Sequence, residues 1–321
     1  MRKIPAALVV LGLVTVGLAG CSLPGSSASD CSRPAVTNPD VMKLIDVTGD
    51  TADQPKVDVY TPVKAPELSY EDVVTGDGTA ITAANQPVVL DIALFSGTTG
   101  ELIVATPYDG DLSQVASVSQ FANFPGFEDA LHCATEGSRV AIALSPDDLA
   151  EGVADQAGLD EGDSLIAVID LRKVYLAAAD GQNQFNSGFG LPSVVRAPDG
   201  RPGLIIPDGA PPADLTIQTL KKGTGETVTA DDAVRVHVTG VAWGENDAFQ
   251  NTWGDAPVSV TADSVVPGFA KAIEGQTVGS QMLVVVPPDQ AGGANAPSAV
   301  PTGSTLVYVI DILGIDAAPA R

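Results

Sequence analysis

The chain has 321 residues, 45% of them apolar, which is enough for the cores of about two domains at ~150 residues each and argues against a disordered polypeptide. Its 40 acidic side chains against 16 basic ones give a net charge of -24 with no lysine or arginine run. Phosphate contact needs clustered cations, so the charge argues against a nucleic-acid partner.

Residues 1 to 21 read as a processing signal rather than fold. Arg2 and Lys3 give a positive start, Ile4 to Val16 an apolar run, and Leu18-Ala19-Gly20-Cys21 a small-residue cleavage site. Cysteine directly after Leu-Ala-Gly resembles the bacterial lipobox, so Cys21 is expected to carry lipid. The chain would then be exported and held at the extracytoplasmic face of the cell membrane, with two acyl chains enough for stable anchoring. An ordinary secretory signal is the alternative. With Cys21 consumed, Cys31 and Cys133 remain as a disulfide pair in an oxidising compartment. Closing a loop of about 100 residues stabilises by ~4.7 kcal/mol on the chain-entropy model. The other reading is a free Cys31 in a mobile tail and a buried Cys133.

Residues 22–40, rich in Ser, Pro and small side chains, read as a flexible tether. From there the chain repeats itself. Pro55, Val57, Val59 and Leu68 have counterparts 147 positions later in Pro202, Leu204, Ile206 and Leu215. The offset then slips to 142, with Pro125-Gly126-Phe127 against Pro267-Gly268-Phe269, and ends at 141, with Val168-Ile169-Asp170 against Val309-Ile310-Asp311. Monotonic drift of this kind is what a duplicated domain with short insertions and deletions produces. The copies are bounded at 41–177 and 199–316, with 178–198, rich in turn residues, as a linker.

Within the second copy, Pro267 to Gly275 predicts a helix of barely two turns, opened by proline and closed by a left-handed glycine. Phe269, Ala272 and Ile273 share one face, and so short a helix persists only by packing that face on a sheet. Period-2 runs on both sides, Ala233 to Val238, Met282 to Val286 and Thr305 to Ile310, supply the strands. The fold class expected for each copy is therefore α+β, a curved antiparallel sheet wrapped around one short helix. Asp289 to Ser304, full of Gly and Pro, is too long for a simple connection and is expected to shape a binding site.

The second copy resembles the FKBP-type peptidyl-prolyl isomerases along most of its length. The resemblance is carried by Val236-His237-Val238-Thr239-Gly240, Phe249, Val265-Val266-Pro267-Gly268-Phe269, Val278-Gly279-Ser280, Pro288-Asp289 and Thr305-Leu306-Val307-Tyr308. It implies an apolar pocket walled by Phe249 and Tyr308, floored by Phe269 and edged by Val265 and Val266, with the Val266 N–H offered to a substrate carbonyl. Val238, Gln250 and Trp253 would complete the substrate contacts. It implies proline-containing segments of exported proteins as partners and no metal, nucleotide or other cofactor. Val238 and Gln250 replace the family's tyrosine and aspartate, Gly292 its loop tyrosine, and Phe269 its commoner tryptophan, which implies weak activity and poor macrolide affinity. In the first copy Phe127 keeps the floor, but Leu102, Ile103, Ile92 and Ala167 stand where Phe249, Gln250, Val238 and Tyr308 stand in the second. That copy is expected to be a degenerate scaffold. A non-catalytic chaperone or adaptor lipoprotein is the alternative reading of the whole chain.

Other residues have plainer readings. His237 fits a strand and His132 a helix end, too far apart in sequence to make a metal site without carboxylate partners. Asp147-Asp148 and Asp160-Glu161-Gly162-Asp163 lack calcium-loop spacing and read as solvated charge. Trp243 and Trp253 either rim the pocket or pack on a strand.

Overall fold

A short hairpin precedes each of two larger antiparallel sheets and covers the face that the sheet's helix does not. The computed structural model describes residues 31–186 and 188–318. In chain order, α1 (Pro39–Met42) leads into β1 (Ile45–Thr48) and β2 (Lys56–Val59), which pair antiparallel. Then come β3 (Ser69–Val74), β4 (Pro87–Ser96), β5 (Leu102–Ala105), β6 (Ala116–Ser117), α2 (Gly126–Leu131), β7 (Arg139–Leu144), α3 (Val153–Gln156) and β8 (Leu165–Val174). They form a sheet in the order β3-β7-β8-β4-β5, with β6 beside β4. Next are β9 (Gln182–Asn183) and the hairpin of β10 (Ser193–Arg196) and β11 (Pro202–Ile205). The chain ends in β12 (Thr216–Lys222), β13 (Val234–Ala242), β14 (Ala248–Asn251), β15 (Val258–Val260), α4 (Pro267–Ile273), β16 (Gln281–Val286) and β17 (Leu306–Ile315). This sheet runs β14-β13-β17-β16-β12-β9, with β15 on β13, so β14-β13-β17-β16-β12 follows the same order as β5-β4-β8-β7-β3.

The apolar pattern explains the layers. Met282, Val284, Tyr308, Ile310 and Ile312 face α4 and its Phe269, Ala272 and Ile273. Leu283, Val285, Val307 and Val309 face the other way, onto Leu191, Val194, Leu204 and Ile206 around the β10–β11 hairpin. In the first sheet Ile142, Ala167 and Ile169 face α2, while Ala141, Ala143, Ile166 and Val168 face Val41, Met42, Ile45 and Val47 of α1 and β1. Every residue of β7 and β16 is consequently buried. The alternation expected of half-exposed strands gives way to continuous apolar runs, because neither face meets solvent.

Two boundaries differ from the sequence expectation. Residues 22–30 and Cys21 lie outside the described residues, but from Cys31 onward the expected tether is packed structure. Thr37 N donates to Tyr70 O at 2.8 Å and Asp72 N to Ala35 O at 2.7 Å, so the segment lines the edge of β3. The Arg33 guanidinium pairs with Asp72 and lies 4.5 Å over the Tyr70 ring. Cys31 and Cys133 are disulfide-bonded, with Cα atoms 5.4 Å apart. Nor is 178–198 a loose linker, since β9 pairs with β12 and β10 with β11, and Leu191 and Val194 are part of the second sheet's outer core. Across the junction Leu176 N donates to Leu313 O at 3.1 Å and Gly181 N to Gly279 O at 2.9 Å. Tyr175 is buried against Gly314, where an added Cβ would lie 2.5 Å from the ring. Among the described residues no helix is long and apolar enough to cross a membrane.

Each sheet also carries a buried polar row on its hairpin side. In the first, the Arg139 guanidinium forks onto both Asp170 carboxylate oxygens at 2.7 and 2.8 Å and reaches the Gly49 and Asp53 carbonyls. In the second, the aligned residues are Gln281 and Asp311. Gln281 Nε2 donates to Asp311 Oδ1 at 2.7 Å, Ala179 N to Asp311 Oδ2 at 2.9 Å, and His237 is the cross-strand neighbour of Asp311.

Candidate functional site

Tyr308, near the start of β17, stands between two other rings. Its ring meets Phe249 of β14 edge-on at 5.6 Å and Phe269 of α4 edge-on at 5.2 Å, an arrangement favoured by the aromatic quadrupole. Around them opens a hollow of about 290 Å³ whose lining also includes Val260, Val265 and Val266. Besides the Tyr308 hydroxyl, Gln250, Ser264, Asn295 and Ser298 are its polar side chains, and among the described residues no charged side chain lines it. Burial pushes the Tyr308 phenol above its ordinary range, so its hydroxyl stays protonated.

Local sequence explains how the pieces are set. Pro267 opens α4 and leaves Val266 as an extended residue just outside the helix. The Val266 carbonyl accepts from Phe269 N at 2.9 Å and Ala270 N at 3.2 Å, while the Val266 N–H has no hydrogen-bond partner among the described residues. Gly275, with φ of +76°, takes the left-handed turn that ends the helix. Gly240, opposite Tyr308 on β13, gives the rings their room: a Cβ there would lie 2.7 Å from the Phe249 ring and 3.0 Å from the Tyr308 ring. Gly240→Ala is therefore expected to leave the fold in place and push the two walls out of position. A fall in prolyl-isomerase kcat/KM of about tenfold or more, with melting temperature nearly unchanged, is the expected result. Unchanged kinetics would show that the ring positions do not matter.

The structure thus brings together Phe249, Gln250, Val265, Val266, Phe269 and Tyr308. It does not bring Val238 or Trp253 to the hollow. Val238 is fully buried among the residues that pack on α4. Trp253 stacks on His237 at 4.4 Å, and His237 points to the opposite face of β13 from Val236 and Val238. Val260, Ser264, Asn295, Pro297, Ser298 and Ala299 also line the hollow, and none of them has a sequence signal of its own for the site beyond the loop that carries four of them. The long loop was the available signal for the last four, since its Gly and Pro content marks a wall but not which residues face inward.

At the matching place in the first sheet bulkier residues stand. Leu94 pairs with Ala167 as Gly240 pairs with Tyr308, so a leucine side chain stands where the second sheet keeps a glycine. Phe124, aligned with Val266, stacks on Phe127 at 5.0 Å and gives its N–H to Phe121 O at 2.8 Å. The strand register also corrects the sequence alignment by one residue. Leu94 pairs with Val104 and Gly240 with Gln250, which puts Ile103, not Leu102, at the Phe249 position and Val104 at the Gln250 position. Elsewhere, Cys31, His132 and Cys133 hold potential metal-ligand atoms close together, but both thiols are used by the disulfide.

Residues 224–313, which contain all three rings, match the family described as FKBP-type peptidyl-prolyl cis-trans isomerase. That stretch is similar to the FKBP-type isomerases. The chain is also similar to an FK506-binding protein of Streptomyces anulatus, 29% identical over 120 residues, covering 36% of this chain and 97% of that protein. A probable FK506-binding protein of Corynebacterium glutamicum is 28% identical over 114 residues, 35% of this chain and 97% of the relative. The FKBP-type peptidyl-prolyl cis-trans isomerase FkpA of Escherichia coli K12 is 29% identical over 106 residues, 33% of this chain and 39% of that protein. The β10–β11 hairpin precedes the matched residues, so it lies outside the family match.

Proposed function

We propose that the second copy catalyses cis-trans isomerisation of X–Pro bonds in exported proteins, with the proline ring seated among Phe249, Phe269 and Tyr308. The convergence of these three rings on one uncharged hollow beside the unpartnered Val266 N–H carries the reading. Rotating an X–Pro amide breaks C–N resonance against a barrier of ~18–20 kcal/mol and requires neither covalent chemistry nor proton transfer. The twisted amide is less polar than the planar one, so a dry aromatic cleft favours it, and a fixed N–H orients the neighbouring carbonyl. The first copy is a second FKBP-like domain in tandem whose site is blocked by its own Leu94 and Phe124. We also propose a lipid anchor at Cys21, on the strength of the Leu18-Ala19-Gly20-Cys21 motif, holding both domains at the extracytoplasmic face of the cell membrane.

The test is refolding of a proline-limited substrate. Acceleration at protein ratios far below one, lost in Phe249→Ala and Tyr308→Ala, is expected of a catalyst. A requirement for stoichiometric protein, with both variants as effective as wild type, would instead indicate a chaperone that holds its client.

A further inference from the structure

The loop after β16 is fastened to the rim of the hollow at two points. Gly268 N donates to Gln290 O at 3.1 Å, and Lys271 Nζ to Gln290 Oε1 at 3.1 Å. Five residues on, Asn295 Nδ2 donates to Asp263 O at 2.7 Å and to Val265 O at 3.2 Å, and no other donor among the described residues serves either carbonyl. Asn295 itself lines the hollow. The Val265 carbonyl and the Val266 N–H belong to one trans peptide unit, whose six atoms lie close to a plane with C=O and N–H pointing in opposite directions. Whatever fixes the carbonyl therefore fixes the direction of the N–H. A hydrogen bond accepted by the carbonyl also polarises the unit and strengthens the donor at its other end.

We propose that Asn295 is a positioning residue: by holding the Val265 carbonyl it aims the Val266 N–H into the hollow and ties the loop wall to that same peptide plane. The proposal rests on the reading of the hollow as a prolyl-isomerase site. Asn295 takes no part in bond rotation. Its contribution is that the substrate carbonyl meets a donor already oriented, so little ordering remains to be done on binding.

Asn295→Asp is the sharpest variant, because it keeps the shape, removes the donor and sets a carboxylate against two carbonyl oxygens. Asn295→Ala removes the donor alone. In the full chain, both are expected to raise KM for a proline-containing tetrapeptide about fivefold to tenfold while kcat stays within about twofold, the size expected for one lost hydrogen bond. The Val266 amide resonance should shift in the absence of peptide, and the melting temperature should change little. General loosening of the loop would lower kcat and melting temperature together and leave the Val266 resonance in place. That result, or wild-type KM in both variants, overturns the proposal. If the wild-type chain turns over no peptide, the reading of the site fails, and the Val266 resonance of the two variants still decides whether Asn295 positions that peptide plane.

Discussion

Asp170→Ala is expected to destabilise the first sheet by about 3–5 kcal/mol in urea unfolding, because it leaves the Arg139 guanidinium buried without its counter-charge. Both partners are almost wholly inaccessible, with side-chain exposures of 0% and 1%, so water cannot take over. The two backbone carbonyls that Arg139 also reaches satisfy N–H groups but supply no negative charge. A loss of that size is a large fraction of the ~5–15 kcal/mol that holds a domain together. Replacing both partners by apolar residues of similar volume, Arg139→Met with Asp170→Leu, should recover much of the loss, since the double change leaves no stranded charge. If Asp170→Ala costs less than about 1 kcal/mol, the pair is not the anchor of the hairpin side that its burial implies.

The second sheet keeps the aspartate but not the arginine, and there the large expected effect depends on pH. Burial raises the Asp311 carboxyl from 3.8 to about 6, against hydrogen bonds from Ala179 and Gln281 and the more distant charges of Lys221 and Arg196. Burial lowers its cross-strand neighbour His237 from 6.5 to about 4. From about pH 4 to 6 the folded state holds the Asp311 proton and the unfolded state does not, so this group makes stability fall as pH rises. From about pH 4 to 6.5 the unfolded state holds a His237 proton that the folded state lacks, so that group makes stability rise. The two slopes oppose each other across nearly one window. Relative to wild type, Asp311→Asn should therefore gain up to about 3 kcal/mol between about pH 4 and 6, since each tenfold change in proton affinity on folding corresponds to about 1.4 kcal/mol. His237→Gln should change in the opposite direction, from about pH 4 to 6.5. Parallel stability profiles for wild type and both variants would show that neither group titrates abnormally.

The helix and its supporting strands were legible because their signals are local. Pro267 and Gly275 mark the ends of α4, and Phe269, Ala272 and Ile273 repeat at helical spacing. Phe249, Phe269 and Tyr308 were legible through family resemblance, which encodes a convergence that no spacing rule gives. The hairpins were not. Val194, Leu204 and Ile206 are too few and too evenly mixed with turn residues to read as a covering layer, and only the outward faces of β16 and β17 reveal what they cover. Trp253 was misplaced because an aromatic near a pocket strand suits either face, and the pleat alone decides which. The Phe249 counterpart was off by one because β5 and β14 each carry a bulge at that point, and register across a bulge is set by the partner strand. Asn295 escaped notice because its partners, the carbonyls of Asp263 and Val265, carry no side-chain signature.

The bond between Cys31 and Cys133 changes how the chain transmits load, since it joins points 102 positions apart. A pull applied upstream of Cys31 crosses the sulfurs directly to the end of α2 and continues into β7, bypassing every strand from β1 to β6. Those strands stay slack under tension while the bond is intact. Reduction restores the long route, and the same force would then peel Arg33 from Asp72 and unzip the edge of β3 first.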